Sequence, residues 1–361
     1  MGLPVIKIDF KQLAAEAIKR SQQGIVGLFV RESSKDWVRK EYRIITDVQA
    51  DDFTNSLAMV KDCFDYTPYK VVVFNLGSGT IEDALKQAAK ERLNWLGLAY
   101  QDEDGEDTKT LQSWIKTMRK EGFTYKAILY KAVQPDNMGI VNFANDTVTF
   151  ADARGTKEGW EYIPTLLGIL AGMPMTRGAT NFVCGNLVDC SDFSNINEEI
   201  DQGFFCLLKK NGKVKVGRGN NSLVELTQDL KEDMQDIAIV EAMDLIRDDI
   251  HDTFDESWSG KWKNSTDNQI LLATTINAYF EALANETVLD NKYNNRAEID
   301  AEAIRLAWKS VGKTQLDDGT PIEDATEDQL INLPFKKKAL LKANIKILNI
   351  MEDFYFPITM F

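Results

Sequence analysis

Histidine is nearly missing from this chain: 361 residues contain one, His251. It sits in the acidic run RDDIHDTFDES with neither a GxSxG elbow nor an HExxH pair elsewhere, so it reads as a solvated helix residue and not a triad member. Cysteine is scarce too. Cys63, Cys184, Cys190 and Cys206 form no CxxC, give no zinc spacing with one histidine, and fall mostly in apolar stretches, as buried free thiols in a reducing compartment do. Long apolar runs are absent: the longest, IPTLLGILAGM, falls short of the roughly 18 residues of a membrane span. The opening MGLPVIKIDFKQ has no basic stretch followed by an apolar one, so no signal peptide is expected. Positive charge is in deficit, with 42 Lys and Arg against 56 Asp and Glu and a net charge of −14. Such a surface repels phosphate backbones and anionic lipid, so neither nucleic acid nor membrane is an expected partner.

Cofactor motifs are missing as well. The turn Leu76-Gly77-Ser78-Gly79-Thr80 lacks a P-loop lysine and does not meet GxGxxG; a tight strand-to-helix turn explains both glycines. The acidic run from Asp102 to Asp107 fails as a calcium loop, because Asp107 and Ser113 stand where Gly and Glu are needed. No catalytic residue, cofactor or metal is expected.

What is present is an ordinary globular composition, 44% apolar and 27% charged, in a length that predicts about two domains. The first half alternates in period. Apolar runs at 24–32, 42–48, 70–76, 95–100 and 127–132 read as strands, with two shorter ones around 139–150. Between them lie helical faces: Phe53, Leu57, Val60 and Phe64; then Ile81, Ala84, Leu85 and Ala88 behind a Thr80 cap; then Leu111, Trp114, Ile115 and Met118. This predicts an α/β domain with a mostly parallel sheet covered on both faces. A buried helix is expected from about 156 to 175. A β-rich stretch follows, with FVCGNLV, FFCLLKK and KVKVGRG as strands and a hairpin turn at Asn211-Gly212. Residues 226–290 read as mostly helical, with a second helix starting at a capping box of Thr266 and Gln269 and carrying Leu272, Ile276, Tyr279, Phe280 and Leu283 on one stripe.

Both ends are apolar and alternating. Ile6, Ile8 and Phe10 alternate with Lys7 and Asp9; Phe354, Phe356, Ile358 and Met360 alternate with Tyr355, Pro357 and Thr359. Pro357 removes a ladder donor, which suits an edge strand or a bulge. Periodicity alone does not choose between strands paired within their own domain and strands that augment a neighbouring subunit. Just upstream, Lys336, Lys337, Lys338, Lys342 and Lys346 form an acid-free cluster, either a solvated face or a contact for an acidic partner.

Several segments together resemble contractile phage tail sheath proteins. They are LAGMPMTRGAT running into RGATNFVCGNLVD, then GKVKVGRGNNSL, DIAIVEAMDLIRDDIHDTF, GKWKNSTDNQ and the closing ALLKANIKILNIMEDFYFPITMF. The resemblance spans about residues 20–361 and is strongest from 160 onward. It implies a subtilisin-like α/β core at 21–225 without protease chemistry, an α+β C-terminal domain at 226–344, and extended arms at 1–20 and 345–361 pairing with adjacent subunits. Room for the family's inserted β-sandwich is lacking, so a short-form sheath is expected, from a phage or a contractile bacteriocin. The implied partners are neighbouring copies in a helical polymer of stacked hexameric rings, a tail tube, and baseplate and tail terminator proteins. The implied location is an assembled tail, built in the bacterial cytoplasm. In that setting Lys336, Lys337 and Lys338 become candidate tube contacts, because screened charge pairs are individually weak and can be broken in sequence. The competing reading is an unrecognised or degenerate α/β hydrolase.

Overall fold

The computed structural model describes residues 17, 18, 20 and 23–360. Among these, one compact unit contains 23–248 and 349–360, and a second contains 17, 18, 20 and 249–348. The sequence reading draws a boundary at 225/226; compactness draws it at 248/249, inside the helix Ile237–Thr253.

The larger unit is built, in chain order, from β1 (Ile25–Val30), β2 (Arg39–Tyr42), α1 (Leu57–Asp62), β3 (Lys70–Asn75), α2 (Ile81–Ala88), β4 (Trp95–Leu98), α3 (Glu106–Glu121), β5 (Lys126–Tyr130), β6 (Ile140–Phe143), β7 (Thr147–Phe150), β8 (Thr156–Glu158), α4 (Ile163–Ala171), β9 (Leu187–Cys190), α5 (Ile196–Asp201), β10 (Phe204–Phe205), β11 (Leu207–Lys210), β12 (Lys213–Val216) and the first turns of α6 (Ile237–Thr253). Seven strands form one sheet in the order β10-β6-β5-β4-β1-β3-β2, parallel throughout except for β2 on β3. The interior strand β1, between β4 and β3, accounts for the layers. All six of its residues are buried, and successive side chains leave a strand on opposite faces. Val26, Leu28 and Val30 enter one core with Leu166 and Leu167 of α4. Ile25 and Phe29 enter another with Leu85 of α2 and Leu111 and Ile115 of α3. The sheet is therefore covered on both faces, as its β-branched runs predict.

Glycine lets α4 seat this closely. A Cβ on Gly97 would come within 2.9 Å of Ile163 and Leu167, and one on Gly168 within 2.2 Å of the Cys63 carbonyl oxygen. The Asn211-Gly212 turn does close the β11–β12 hairpin, with both residues at positive φ.

Four local expectations fail. The helix expected from about 156 to 175 runs only from Ile163 to Ala171, because Thr156–Glu158 pair with β7 as β8. The run 42–48 is not a strand: β2 lies earlier and meets the first residues of β3, Val71 opposite Tyr42, so no ladder remains for Ile44 and Ile45, which are exposed. In FVCGNLV only Val183 bridges, to Lys215, and the strand proper starts at Leu187. The long helix starts at Ile237, not near 226: Glu232–Gln235 form a separate short 3-10 helix, and the extended Asp236, paired with the loop after β12, parts it from α6. Asn221 N donates to the Gln235 carbonyl at 2.8 Å, and Asn220 bridges Asp236.

The smaller unit holds α7 (Thr266–Asn285), β13 (Arg296–Ile299), α8 (Ala301–Ser310), α9 (Glu327–Ile331) and β14 (Leu341–Asn344), with β13 and β14 antiparallel. The expected α7 stripe from Leu272 to Leu283 is buried. Asn277 on α7 clasps β13, accepting from Ala297 N at 2.6 Å and donating to its carbonyl at 3.0 Å. The α7 cap is Ser265, which accepts from Asn268 N, while Gln269 turns back to Asn264; a capping box forms instead at Thr326 and Gln329 of α9.

The larger unit also buries a charge. Lys126 is 1% exposed, with Nζ 2.9 Å from Asp244 and 3.4 Å from Glu241, beneath the Trp95 ring. Asp244 is also held bidentately by Arg119 at 2.9 Å through both nitrogens. Burial opposes the Lys126 charge, but Asp244 and Glu241 outweigh it and raise its pKa; burial likewise opposes the Asp244 carboxylate, and Lys126 and Arg119 hold it below its usual range. Asp248, one turn on, takes Arg92 at 3.0 Å and the Thr124 hydroxyl at 2.9 Å. Asp244→Ala removes the carboxylate held by buried Arg119 and leaves Lys126 with Glu241 alone, and is expected to cost about 3–5 kcal/mol in urea unfolding. Asp83→Ala, which removes an exposed pair with Lys86, is expected to stay within about 0.5 kcal/mol.

Candidate assembly interface

The chain leaves the larger unit through a set of polar contacts. Asn349 donates to Asp236, and Ile350 lies against Gly178, where a Cβ would approach Ile350 Cγ1 to 3.1 Å. Glu352 accepts from the Thr180 hydroxyl and pairs with Arg218 Nε at 3.1 Å; Asp353 meets Arg218 Nη2 at 3.2 Å. Beyond Asp353 everything changes. Phe354, Tyr355, Phe356, Ile358 and Met360 are 66–91% exposed, with no strand and no alternation of buried and exposed faces. The Phe354 and Phe356 ring centroids lie 5.8 Å apart. Ile6, Ile8 and Phe10, the matching residues at the other end, lie outside the described residues.

Two of the five lysines are not free of acids: Lys342 pairs with Glu298 at 3.4 Å and Lys346 with Asp290 at 2.9 Å. A sequence scan misses both because the partners are more than 40 residues away. Lys336, Lys337 and Lys338 are all exposed and sit together on a tight turn, closed by Lys338 N donating to the Phe335 carbonyl at 2.9 Å, with Lys336 at positive φ. The turn is anchored from beneath. Phe335 is buried edge-on against Trp308, and the Asn264 amide donates to the carbonyls of Lys336 and Lys338 at 3.1 Å. The three exposed lysines thus stand on a fixed backbone, with Lys336 Nζ 5.4 Å from the Phe335 ring centroid.

Residues 229–361 match the phage tail sheath C-terminal domain family. The tail sheath protein of Clostridium phage phiCD119 is 25% identical over 363 residues, covering 98% of both chains. Over its length the chain is similar to tail sheath proteins. In fold it is similar to the crystal structure of a sheath tail protein from Desulfitobacterium hafniense, with a TM-score of 0.70 at 14% identity over 82% of this chain and 93% of that one. It is similar also to the sheath complex of an extracellular contractile injection system in its contracted state, with a TM-score of 0.67 at 10% identity over 99% and 98% of the two chains.

The tail sheath family is structural and not enzymatic. His251 is 77% exposed and faces Asp252 at 3.4 Å. Burial raises the thiol pKa of all four cysteines, which keeps them protonated and inert. No group of three or more His, Cys, Asp or Glu is arranged for a metal among the described residues, and none of their helices is long and apolar enough to cross a membrane. Arg218, Thr180 and Glu352 carry little signal in the sequence beyond an arginine between glycines and an acid pair before an aromatic run.

One carboxylate has a consequence for pH. Asp62, 7% exposed, has its pKa raised to about 6 by burial, with Asp65 and Asp152 adding to the shift and Arg154, 2.6 Å away, opposing it. The folded chain then holds a proton between about pH 4 and 6 that the unfolded chain releases, so this group lowers stability as pH rises through that window. Asp62→Asn is expected to flatten that slope and to raise stability at pH 7 by roughly 1–3 kcal/mol, read from urea midpoints at pH 4.5 and 7.

Proposed function

We propose that this chain is the sheath subunit of a contractile tail, polymerising helically around an inner tube and shortening to drive the tube through a cell envelope. The observation that carries the reading is the tail itself. A run of exposed aromatic and aliphatic residues has both faces open, with none of the described residues covering it, and monomeric proteins rarely leave such surface open. A neighbouring copy offers the missing cover by strand pairing, which satisfies the tail's backbone groups and buries its side chains at about 1.5–3 kcal/mol for each large one. Residues 1–20 and 345–361 are then linking arms, with Ile6, Ile8, Phe10, Phe354, Phe356, Ile358 and Met360 as their contact residues. Residues 21–225 serve as a subtilisin-like core without protease chemistry and 226–344 as the C-terminal sheath domain. Copies related head to tail without closure generate a helical filament, here as stacked hexameric rings bounded by baseplate and terminator proteins. Contraction requires two packings of one rigid subunit, the extended one metastable, so no cofactor or nucleotide enters. The acidic surface disfavours nucleic acid and anionic membrane as partners.

The lysine turn is assigned to the tube. It is a compact cationic surface on a chain of charge −14, held on a fixed backbone, and charge pairs suit a grip that must later be released.

Removing residues 1–12 or 354–361 is expected to leave a folded, soluble subunit that no longer forms tubes under electron microscopy; normal polymers from either truncation contradict the arm assignment. Lys336, Lys337 and Lys338 changed together to Glu are expected to leave tube-free sheath assembly intact while weakening extended sheath on tubes, most strongly at low salt. Loading that is unchanged at every ionic strength removes the turn from the tube interface.

A further inference from the structure

We infer that Arg218 is a positioning residue for assembly: it clamps the root of the C-terminal arm at residues 349–353 and thereby fixes where the free part of the arm leaves the subunit. The inference rests on reading the tail as a linking arm, and deepens it.

The clamp is built from two loops that are themselves held. Arg218 follows β12, and its loop is tied down on both sides: Gly219 N donates to the Thr180 hydroxyl at 2.7 Å, and Asn220 donates to the Phe204 carbonyl at 3.0 Å. The Gly219 carbonyl accepts from Ile237 N at 2.9 Å, so the same loop receives the start of α6. Thr180 faces both ways, accepting from Gly219 and donating to Glu352. Glu352 is therefore gripped from two sides, and its side chain is only 13% exposed, against 86% for Asp353. Gly178 provides the flat seat for Ile350, where any side chain would crowd it.

Reach makes the root matter. Residues 354–361 span at most about 29 Å fully extended, so they cannot compensate for a root that wanders. A fixed exit raises the effective concentration of the arm at its receiving site; a loose root spreads the same arm over a larger volume. The transition in one step, from a carboxylate gripped by Arg218 and Thr180 to fully exposed aromatics, marks where the body stops and the arm begins.

The test uses the full chain and three variants, Arg218→Ala, Arg218→Lys and Glu352→Gln, beside the 354–361 truncation. Thermolysin cleavage within residues 348–351 reads the clamp directly, and tube yield reads assembly. Arg218→Ala is expected to keep the parent's circular dichroism, to be cut about three- to tenfold faster at the root, and to give fewer tubes, with the difference growing as salt is lowered. Arg218→Lys should recover part of both readouts, because it retains the charge but not the two-nitrogen grip. Glu352→Gln leaves the loop intact and should loosen the root in the same sense, which keeps the test valid if Arg218→Ala does not fold. Root cleavage and tube yield unchanged in Arg218→Ala and Glu352→Gln, while the truncation forms no tubes, overturn the clamp and leave the arm standing. Normal tubes from the truncation overturn the arm reading itself; faster root cleavage in the variants would then support the clamp only as a structural contact, and its role in assembly falls with the arm.

Discussion

A lysine ammonium buried in an α/β core has to be neutralised where it stands, and the larger unit is arranged around that requirement. Lys126 lies at the start of β5, a strand end, where no neighbouring strand can supply a carboxylate. Asp244 and Glu241 supply it from α6, more than a hundred residues later. Their spacing, continued by Asp248, puts three acids on one helical stripe and so fixes which face of α6 turns toward the sheet. Once that face is set, the residues before α6 have one course to follow, and the loop after β12 records it by pairing Asn220 and Asn221 with residues 234–236. The same loop carries Arg218. Neutralising one buried charge is thus linked through rigid neighbours to the point at which the C-terminal tail leaves the unit. Removing a partner from such a pair is far costlier than the pair's net contribution, which is why this constraint dominates over the exposed ion pairs.

Elements filled on both faces were the legible ones. β1, β3, β4 and the faces of α2, α3 and α7 fall where the apolar periods place them, because those segments are buried by their own pattern. What failed depended on partners. Ile44 and Ile45 look like a strand, but β3 begins too late to pair with them. Leu226 and Leu230 look helical, but hydrogen bonds to the loop just after β12 keep the segment before Ile237 out of α6. Thr266 and Gln269 satisfy the capping pattern, yet Ser265, one residue earlier, had the geometry. The Lys126 network was invisible for the same reason: a lysine at a strand end and an acid on a far helix carry no joint signal in one sequence.

The tail was legible as a pattern and not as a setting. Alternation of Phe354, Phe356, Ile358 and Met360 is the same whether the strand pairs at home or abroad, because the period reports a half-buried ribbon and nothing about whose sheet buries it. Exposure on both faces is the information that sequence lacked. The lysines show the opposite case. Five residues looked equivalent in the sequence, and two of them are spent on Glu298 and Asp290 within their own unit, leaving the three on the turn at 336–338 as a group apart.

Under the proposed assembly, the composition of the arm answers a problem set by the rest of the chain. Copies that each carry a charge of −14 repel one another when packed, and only separations beyond about 8 Å are well screened at physiological salt. Complementary charge is a poor general adhesive for such a subunit, since any face that met another would mostly present acid. The stretch from Phe354 to Phe361 contains no charged residue at all. Main-chain pairing and apolar burial are indifferent to net charge, so an uncharged strand can join acidic bodies without asking their surfaces to match. The bodies remain free to change their packing while the joint persists, which is what two states of one polymer demand. Charge then keeps a separate task, at the root of the arm and on the lysine turn, where contacts have to be specific in position and moderate in strength.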